Sequence, residues 1–162
     1  MKTHPKIKIE LTGLDKLLEA IIWILIIIHW VMVLYFYPKL PESIPIHFNA
    51  HGEVDGYGSP NTLFDLPIIS TITIVGMSIL CRFPHIFNFP MQITPENIER
   101  QYKNAIRLLR VLNLLIATLF VCITYEVIAV ATNKHFVEIG WIMPVILVLI
   151  FVTLIVYFVK SK

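Results

Sequence analysis

Residues 139–159 read IGWIMPVILVLIFVTLIVYFV, and nothing ionisable interrupts them except Tyr157. A run of that length matches the roughly 20 residues that carry an α-helix across the hydrocarbon of a bilayer. Trp141 and Tyr157 stand near its two ends, where amphipathic rings settle at headgroup level. Working back along the chain, three further apolar runs appear at 18–37, 63–83 and 108–131. The run at 63–83 is the least regular, because Asp65 and Pro67 shorten its unbroken part. Pro67 falls in the first turn of that helix, as Pro144 does in the fourth, where the missing N–H has no intrahelical partner to lose.

Composition agrees. Of 162 residues, 57% are hydrophobic and 15% charged, with a mean hydropathy of +0.76. A water-soluble fold is not the expectation on those terms, since a domain of this size still exposes about a third of its unfolded-chain surface. The surplus apolar side chains need lipid. A net charge of +2 is too mild for nucleic acid, which is not an expected partner. Cys81 and Cys122 fit neither a disulfide framework nor a metal pattern, and read as free thiols packed like small apolar residues. A cleaved signal peptide is the alternative for the first run. Against it stand the run's length, the lack of a small-residue cleavage site and the Pro38 that follows.

Orientation follows from the basic residues, whose excess stays on the cytoplasmic side. Lys2, Lys6, Lys8 and Lys16 precede the first span, Arg82, Arg100, Lys103, Arg107 and Arg110 lie between the second and third or at the start of the third, and Lys160 and Lys162 follow the fourth. Lys39 and Lys134 are the exceptions among 13. The expectation is a four-span protein of a bacterial inner membrane with both termini cytoplasmic and no cation held inside the membrane. It divides into a tail (1–17), a three-span membrane domain (18–131) with an outer loop at 38–62 and a cytoplasmic connection at 84–107, and a fourth span with a short tail (132–162).

The cytoplasmic connection opens with Phe83-Pro84-His85-Ile86-Phe87-Asn88-Phe89-Pro90, too apolar to lie free in water and expected against the headgroups or helix ends. Thr94-Pro95-Glu96 reads as a helix start with Thr94 as cap. Ile98, Tyr102, Ala105, Ile106 and Leu109 then share one face of an interfacial amphipathic helix running into span three, with Arg100, Lys103, Asn104 and Arg107 elsewhere. That helix serves as an anchor or as a docking surface.

The outer loop, YPKLPESIPIHFNAHGEVDGYGSPN at 37–61, is dense in Pro, Gly, Asn, Asp and Ser. It reads as a series of fixed turns capping the outer helix ends, which keeps the expected fold class all-α. Leu40-Pro41, Ile44-Pro45, His47-Phe48-Asn49, Gly52 and Asp55-Gly56-Tyr57-Gly58-Ser59 resemble the signature of a small membrane domain of unknown function. That domain forms the N-terminal part of SdpI-type proteins, which include a bacterial immunity protein against a secreted, sporulation-delaying toxin. Phe83-Pro84-His85-Ile86-Phe87-Asn88 and Gln101-Tyr102 are similar to its short stand-alone members. The resemblance spans about residues 33–110. Two departures are visible: Pro60-Asn61 stands where a basic residue commonly follows Gly-Ser, and the extra helices of the longer immunity proteins are absent. What it implies is toxin recognition or immunity at the outer face.

The loop residues Pro45, His47, Phe48, Asn49, Gly52, Asp55, Gly56 and Tyr57 form the candidate site, under three open readings. His47, His51 and Asp55 are spaced four apart, which on a helix would make a metal set, although the glycines argue for turns. Asn49 and Asp55 would instead bond backbone amides in Asx turns, with His47 bridging the loop to a helix end. Phe48 and Tyr57 beside polar groups would present a peptide-binding surface.

Within the spans, His29, Asn113 and Glu126 are the polar candidates, since an ionisable residue there is by default a functional hypothesis. Glu126 either holds the cap by a hydrogen bond to His47, His51 or Tyr57 or acts as a proton or cation site. His29 and Asn113 are expected to bond between helices. Glu19 and Asp65 read as boundary markers. No nucleophile elbow, Walker loop or HExxH is present, so neither an enzyme nor a cofactor is expected. Besides the lipid bilayer, the expected partners are a peptide toxin or another membrane protein, or a second copy in a homo-oligomer. The alternative functions are a small transporter or channel subunit using Glu126 and His29, and a structural subunit of a larger complex.

Overall fold

The computed structural model describes residues 4–49, 51–134 and 141–161. The first residues of the expected fourth span, most of the loop before it, and Lys2 and Lys162 lie outside these. Four α-helices and a two-stranded antiparallel hairpin follow in the order α1 (Gly13–Phe36), β1 (Ile44–Phe48), β2 (Val54–Gly58), α2 (Asp65–Leu80), α3 (Ile98–Thr132) and α4 (Ile142–Lys160). Four helical segments, Gly13–Lys39, Pro60–Leu80, Ile98–Thr132 and Ile142–Lys160, are long and apolar enough to cross a membrane. The chain reads as a multi-pass membrane protein, mostly helical. The hairpin corrects the all-α expectation: turn residues in the loop bend two short strands back on each other.

Helix α1 begins at Gly13, ahead of the expected Leu18, because Thr12 and Asp15 close a reciprocal capping box. The Thr12 hydroxyl accepts from the Asp15 N–H at 3.3 Å while the Asp15 carboxylate accepts from the Thr12 N–H at 2.9 Å. Helix α2 is lengthened by a 3₁₀ turn, Pro60–Phe64, whose Ser59 cap accepts from the Asn61 N–H at 3.3 Å. The third apolar run and the amphipathic segment before it form one continuous helix.

That helix starts at Ile98 and not at Pro95. Residues 95–97 form a turn in which the Asn97 side chain accepts from the Thr94 N–H at 2.9 Å, reversing the capping role expected of Thr94. A hydrogen bond from the Thr94 side chain holds the Glu96 carboxyl below its usual range. Its contribution to the turn is therefore present above the ordinary carboxylate pKa and is lost as pH falls through the lowered value.

Helix α3 is the axis of the bundle. Its buried residues, from Ile98, Tyr102 and Ala105 through Asn113 and Ala117 to Thr124 and Val127, recur at helical spacing. Ala117 lets α3 approach Ile22 and Ile26 of α1 and Ile74 of α2. Nearer the hairpin, Val33, Ile44, Leu63, Val127 and Ile128 form a second apolar cluster, which seats β1 on the helix ends. Polar side chains meet between these helices. Thr124 Oγ1 and His29 Nε2 lie 2.7 Å apart, Trp30 Nε1 donates to Thr71 Oγ1 at 3.0 Å, and Asn113 Nδ2 donates to the Ile74 carbonyl and to Ser78 Oγ, each at 3.2 Å. The expectation that His29 and Asn113 bond between helices holds.

At the opposite end from the hairpin, the chain closes on itself. Tyr102 donates its hydroxyl to the Pro5 carbonyl at 2.9 Å and stacks on Phe89 at 5.5 Å, so the aromatic stretch does lie against helix ends. Gln101 Nε2 donates to the Ser161 carbonyl at 3.0 Å, pinning the end of α4 beside the start of α3. Arg110, counted in the sequence among the cations of the cytoplasmic side, is buried against α1. Its guanidinium lies 3.6 Å from Asp15 and 3.7 Å from Glu19, and Arg107 Nε lies 3.5 Å from Asp15. Glu19 is thus an ion-pair partner, more than a boundary marker. Outward faces of α1 and α4 are apolar, with Ile27, Val31, Val148, Phe151 and Ile155 exposed, as lipid contact requires.

Arg110→Leu should therefore destabilise the protein by about 3 kcal/mol, because Asp15 and Glu19 lose their buried partner. The double variant Arg110→Leu with Asp15→Asn should recover part of that loss. Thermal unfolding in detergent, followed by tryptophan fluorescence, measures both; equal losses in the two would remove the ion cluster as the cause.

Candidate functional site

The hairpin owes its shape to Asn49. Its side-chain oxygen accepts from the N–H groups of His51 at 2.8 Å and Glu53 at 3.0 Å, while its amide donates to the Glu53 carboxylate at 3.0 Å. Gly52 supplies the left-handed backbone at φ +81° that such a turn requires. Strand register pairs Ile44 with Gly58, Pro45 with Tyr57, His47 with Gly56 and Phe48 with Val54, with irregularities on either side of His47. A β-carbon at Gly56 would lie 3.1 Å from the His47 β-carbon, so glycine is what lets the strands close there. The ends of the loop are also tied, since the Tyr37 hydroxyl donates to the Asn61 side chain.

Across the strands, His47 Nδ1 bonds the Asp55 carboxylate. This corrects two expectations. Among the described residues Asp55 caps no backbone turn, and His47 joins the two strands instead of reaching a helix end. The bond occupies one ring nitrogen and leaves Nε2 for a ligand. His51 does not join the pair, and among the described residues no three His, Cys, Asp or Glu side chains converge as a metal set.

Beneath β1 lies a cavity of about 530 Å³. Its walls come from β1 at Ile44–Phe48, the 3₁₀ turn at Thr62 and Leu63, the start of α2 at Asp65 and Leu66, α3 at Ile123, Glu126 and Val127, and α4 at Met143. The lining is mainly apolar, with His47, Asp65 and Glu126 as its ionisable groups. Glu126 is half-buried. Among the described residues it forms no hydrogen bond with His47, His51 or Tyr57, contrary to the expected cap contact; its carboxylate faces the cavity instead. Tyr57 is exposed outside the lining, and His29 and Asn113 do not reach it.

The sequence reading missed Asp65 and Met143 as parts of this site. Asp65 carries a signal, a carboxylate at the first residue of an apolar helix and close in sequence to the loop. Met143 carries none, since an apolar residue of a lipid-spanning helix looks the same wherever it faces.

Residues 24–71 match the family described as a domain of unknown function (DUF1648). The match takes in the second half of α1, the hairpin and the first turns of α2. The chain is also similar to an uncharacterized protein of Archaeoglobus fulgidus, 36% identical over 88 residues, which cover 49% of this chain and 48% of that protein. It thus spans about half the length of that relative. No solved structure matches.

Two substitutions separate shape from surface chemistry. Asn49→Ala should cost the hairpin about 1–2 kcal/mol, because the His51 and Glu53 N–H groups lose their acceptor. His47→Ala should cost under about 1 kcal/mol, because the His47–Asp55 pair is exposed. Limited proteolysis of the loop should therefore accelerate in the first and barely change in the second.

Proposed function

We propose that the chain is a non-catalytic recognition protein of the cytoplasmic membrane, which takes up a cationic, amphipathic peptide at the hairpin-capped cavity. The reading places hairpin and cavity outside the cell and the basic end inside. One observation carries it: an apolar cavity of about 530 Å³ whose rim holds two carboxylates, Glu126 and Asp65, beside the His47–Asp55 pair. Apolar walls favour a buried hydrophobic side chain, and the half-buried Glu126 with the exposed Asp65 beside it favours a neighbouring cation. A membrane-active toxin carries both features. This is the immunity-like role that the resemblance to SdpI-type proteins implies.

Orientation is tested by labelling. With Cys81 and Cys122 replaced by alanine, Ser59→Cys should react with a membrane-impermeant maleimide in intact cells, and Lys103→Cys only after permeabilisation. The reverse pattern would overturn the placement.

Function is tested by growth under a panel of cationic membrane-active peptides, comparing a deletion strain with strains restored by wild type, His47→Ala, Asp55→Ala or Glu126→Gln. Selective sensitivity that wild type reverses, and that Glu126→Gln at equal membrane level does not, is the expected result. Full resistance in the deletion strain, or full rescue by Glu126→Gln, would sink the cavity as the working surface. A pH-dependent ion flux lost in Glu126→Gln, without any peptide phenotype, would instead establish the transporter reading.

A further inference from the structure

At the opposite end from the hairpin, a groove of about 260 Å³ runs between α3 and α4. We propose that it binds an anionic phospholipid, its phosphate held by Arg107 and Lys160 and an acyl chain laid along Leu108, Val111 and Val156. The geometry follows from antiparallel packing. Helix α3 leaves this end as α4 arrives at it, and the hydrogen bond from Gln101 to the Ser161 carbonyl at 3.0 Å sets their register. Arg107 near the start of α3 and Lys160 at the end of α4 therefore reach the same mouth, although they lie far apart in sequence.

Polar and apolar parts of the groove are ordered along the helix axes. From Arg107 to Val111 the rise is about 6 Å, and from Lys160 back to Val156 it is the same. Cations and Asn104 form the mouth, and the floor is mainly aliphatic, with Thr153 and Tyr157 among its side chains. Both helices are long and apolar enough to span the bilayer, so the floor opens toward lipid. Among the described residues, no carboxylate lines the groove.

Charge makes the occupant anionic. Arg107 is oriented by Thr12, to which Nη2 donates at 3.3 Å, and by Asp15 at 3.5 Å. Asp15 also serves Arg110, so its charge is divided between two guanidinium groups. Lys160 has no acidic partner among the described residues, and the mouth keeps a positive excess. Basic pockets between membrane helices on the cytoplasmic side select anionic headgroups for this reason. A second cavity at this end contains Lys8, Arg82 and Arg110, but Glu19 stands in its wall and Arg110 is already paired, so it offers less to an anion.

The test reconstitutes the full chain in vesicles and measures the relative association of spin-labelled phosphatidylglycerol over phosphatidylcholine. Wild type should prefer phosphatidylglycerol. Lys160→Gln should lower that preference about fivefold, the attraction contributed by one basic residue near an anionic lipid. Lys160 is exposed, so this variant leaves the packing intact. Val156→Trp fills the floor without altering charge and should lower the preference as well. Arg100→Gln removes a cation from the same end outside the groove, and should leave it unchanged. Equal association of the two lipids with wild type would overturn the proposal. So would an equal loss in Arg100→Gln and Lys160→Gln, which marks diffuse attraction, or an unaltered preference in Val156→Trp. The site does not depend on the peptide-recognition reading, and His47→Ala should bind phosphatidylglycerol as wild type does.

Discussion

Most polar side chains between the helices of this protein find partners on a neighbouring helix or on their own backbone, because the lipid around the bundle supplies none. Helix α3 meets that demand along its whole length. It offers Gln101 to the end of α4, Tyr102 to the N-terminal segment, Arg107 and Arg110 to the carboxylates of α1, Asn113 to α2 and Thr124 to His29 of α1. Each contact contributes modestly, on average roughly 0.6 kcal/mol for a hydrogen bond between membrane helices. Together they fix rotation and register, which apolar contact alone leaves loose when lipid tails are as apolar as the interface.

The two ends of the bundle solve different problems with the same helices. At one end, the N-terminal segment, the aromatic stretch and the end of α4 close over the start of α3. Some of the charges there are paired, Lys103 with Glu99 and Arg107 and Arg110 with the carboxylates of α1, while Lys160 faces the groove between α3 and α4. At the other end, a hairpin ordered by Asn49 and Gly52 is seated on apolar residues of α1, α2 and α3. Its seating is incomplete over the α2–α3–α4 side, and the space left beneath β1 is the cavity that holds Glu126 and Asp65. A cap ordered by its own hydrogen bonds, with unfilled room beneath it, suits the proposed recognition, since less ordering entropy is lost on binding.

Much of this was legible in the residues. Apolar length located four spans, proline and glycine located the ordered connection, and amphipathic spacing from Ile98 onward anticipated the lower part of α3. The hairpin was not seen because Ile44–Phe48 and Val54–Gly58 are short, rich in Pro and Gly and weakly alternating, so turn signals masked strand signals. The capping box at Thr12 and Asp15 was present as a four-residue motif but lay outside the apolar run that set the expected boundary. His47 and Asp55 were named as candidates together, yet their direct bond depends on strand register, which a spacing of eight residues does not reveal.

What the sequence determined by itself is the set of local quantities: span lengths, the segregation of basic residues to one side, the turn chemistry of the loop and the identity of the polar groups. These follow from hydropathy and backbone preference, which act over a few residues at a time. Tertiary structure decided which groups meet. Arg110 became a buried ion-pair partner of Asp15 and Glu19, Glu126 came to face a cavity, and Arg107 was placed beside Lys160, only because helices far apart in the chain pack in one register. That register is set by the mutual satisfaction of polar groups and the fit of side chains across interfaces, quantities that exist only once the helices are in contact.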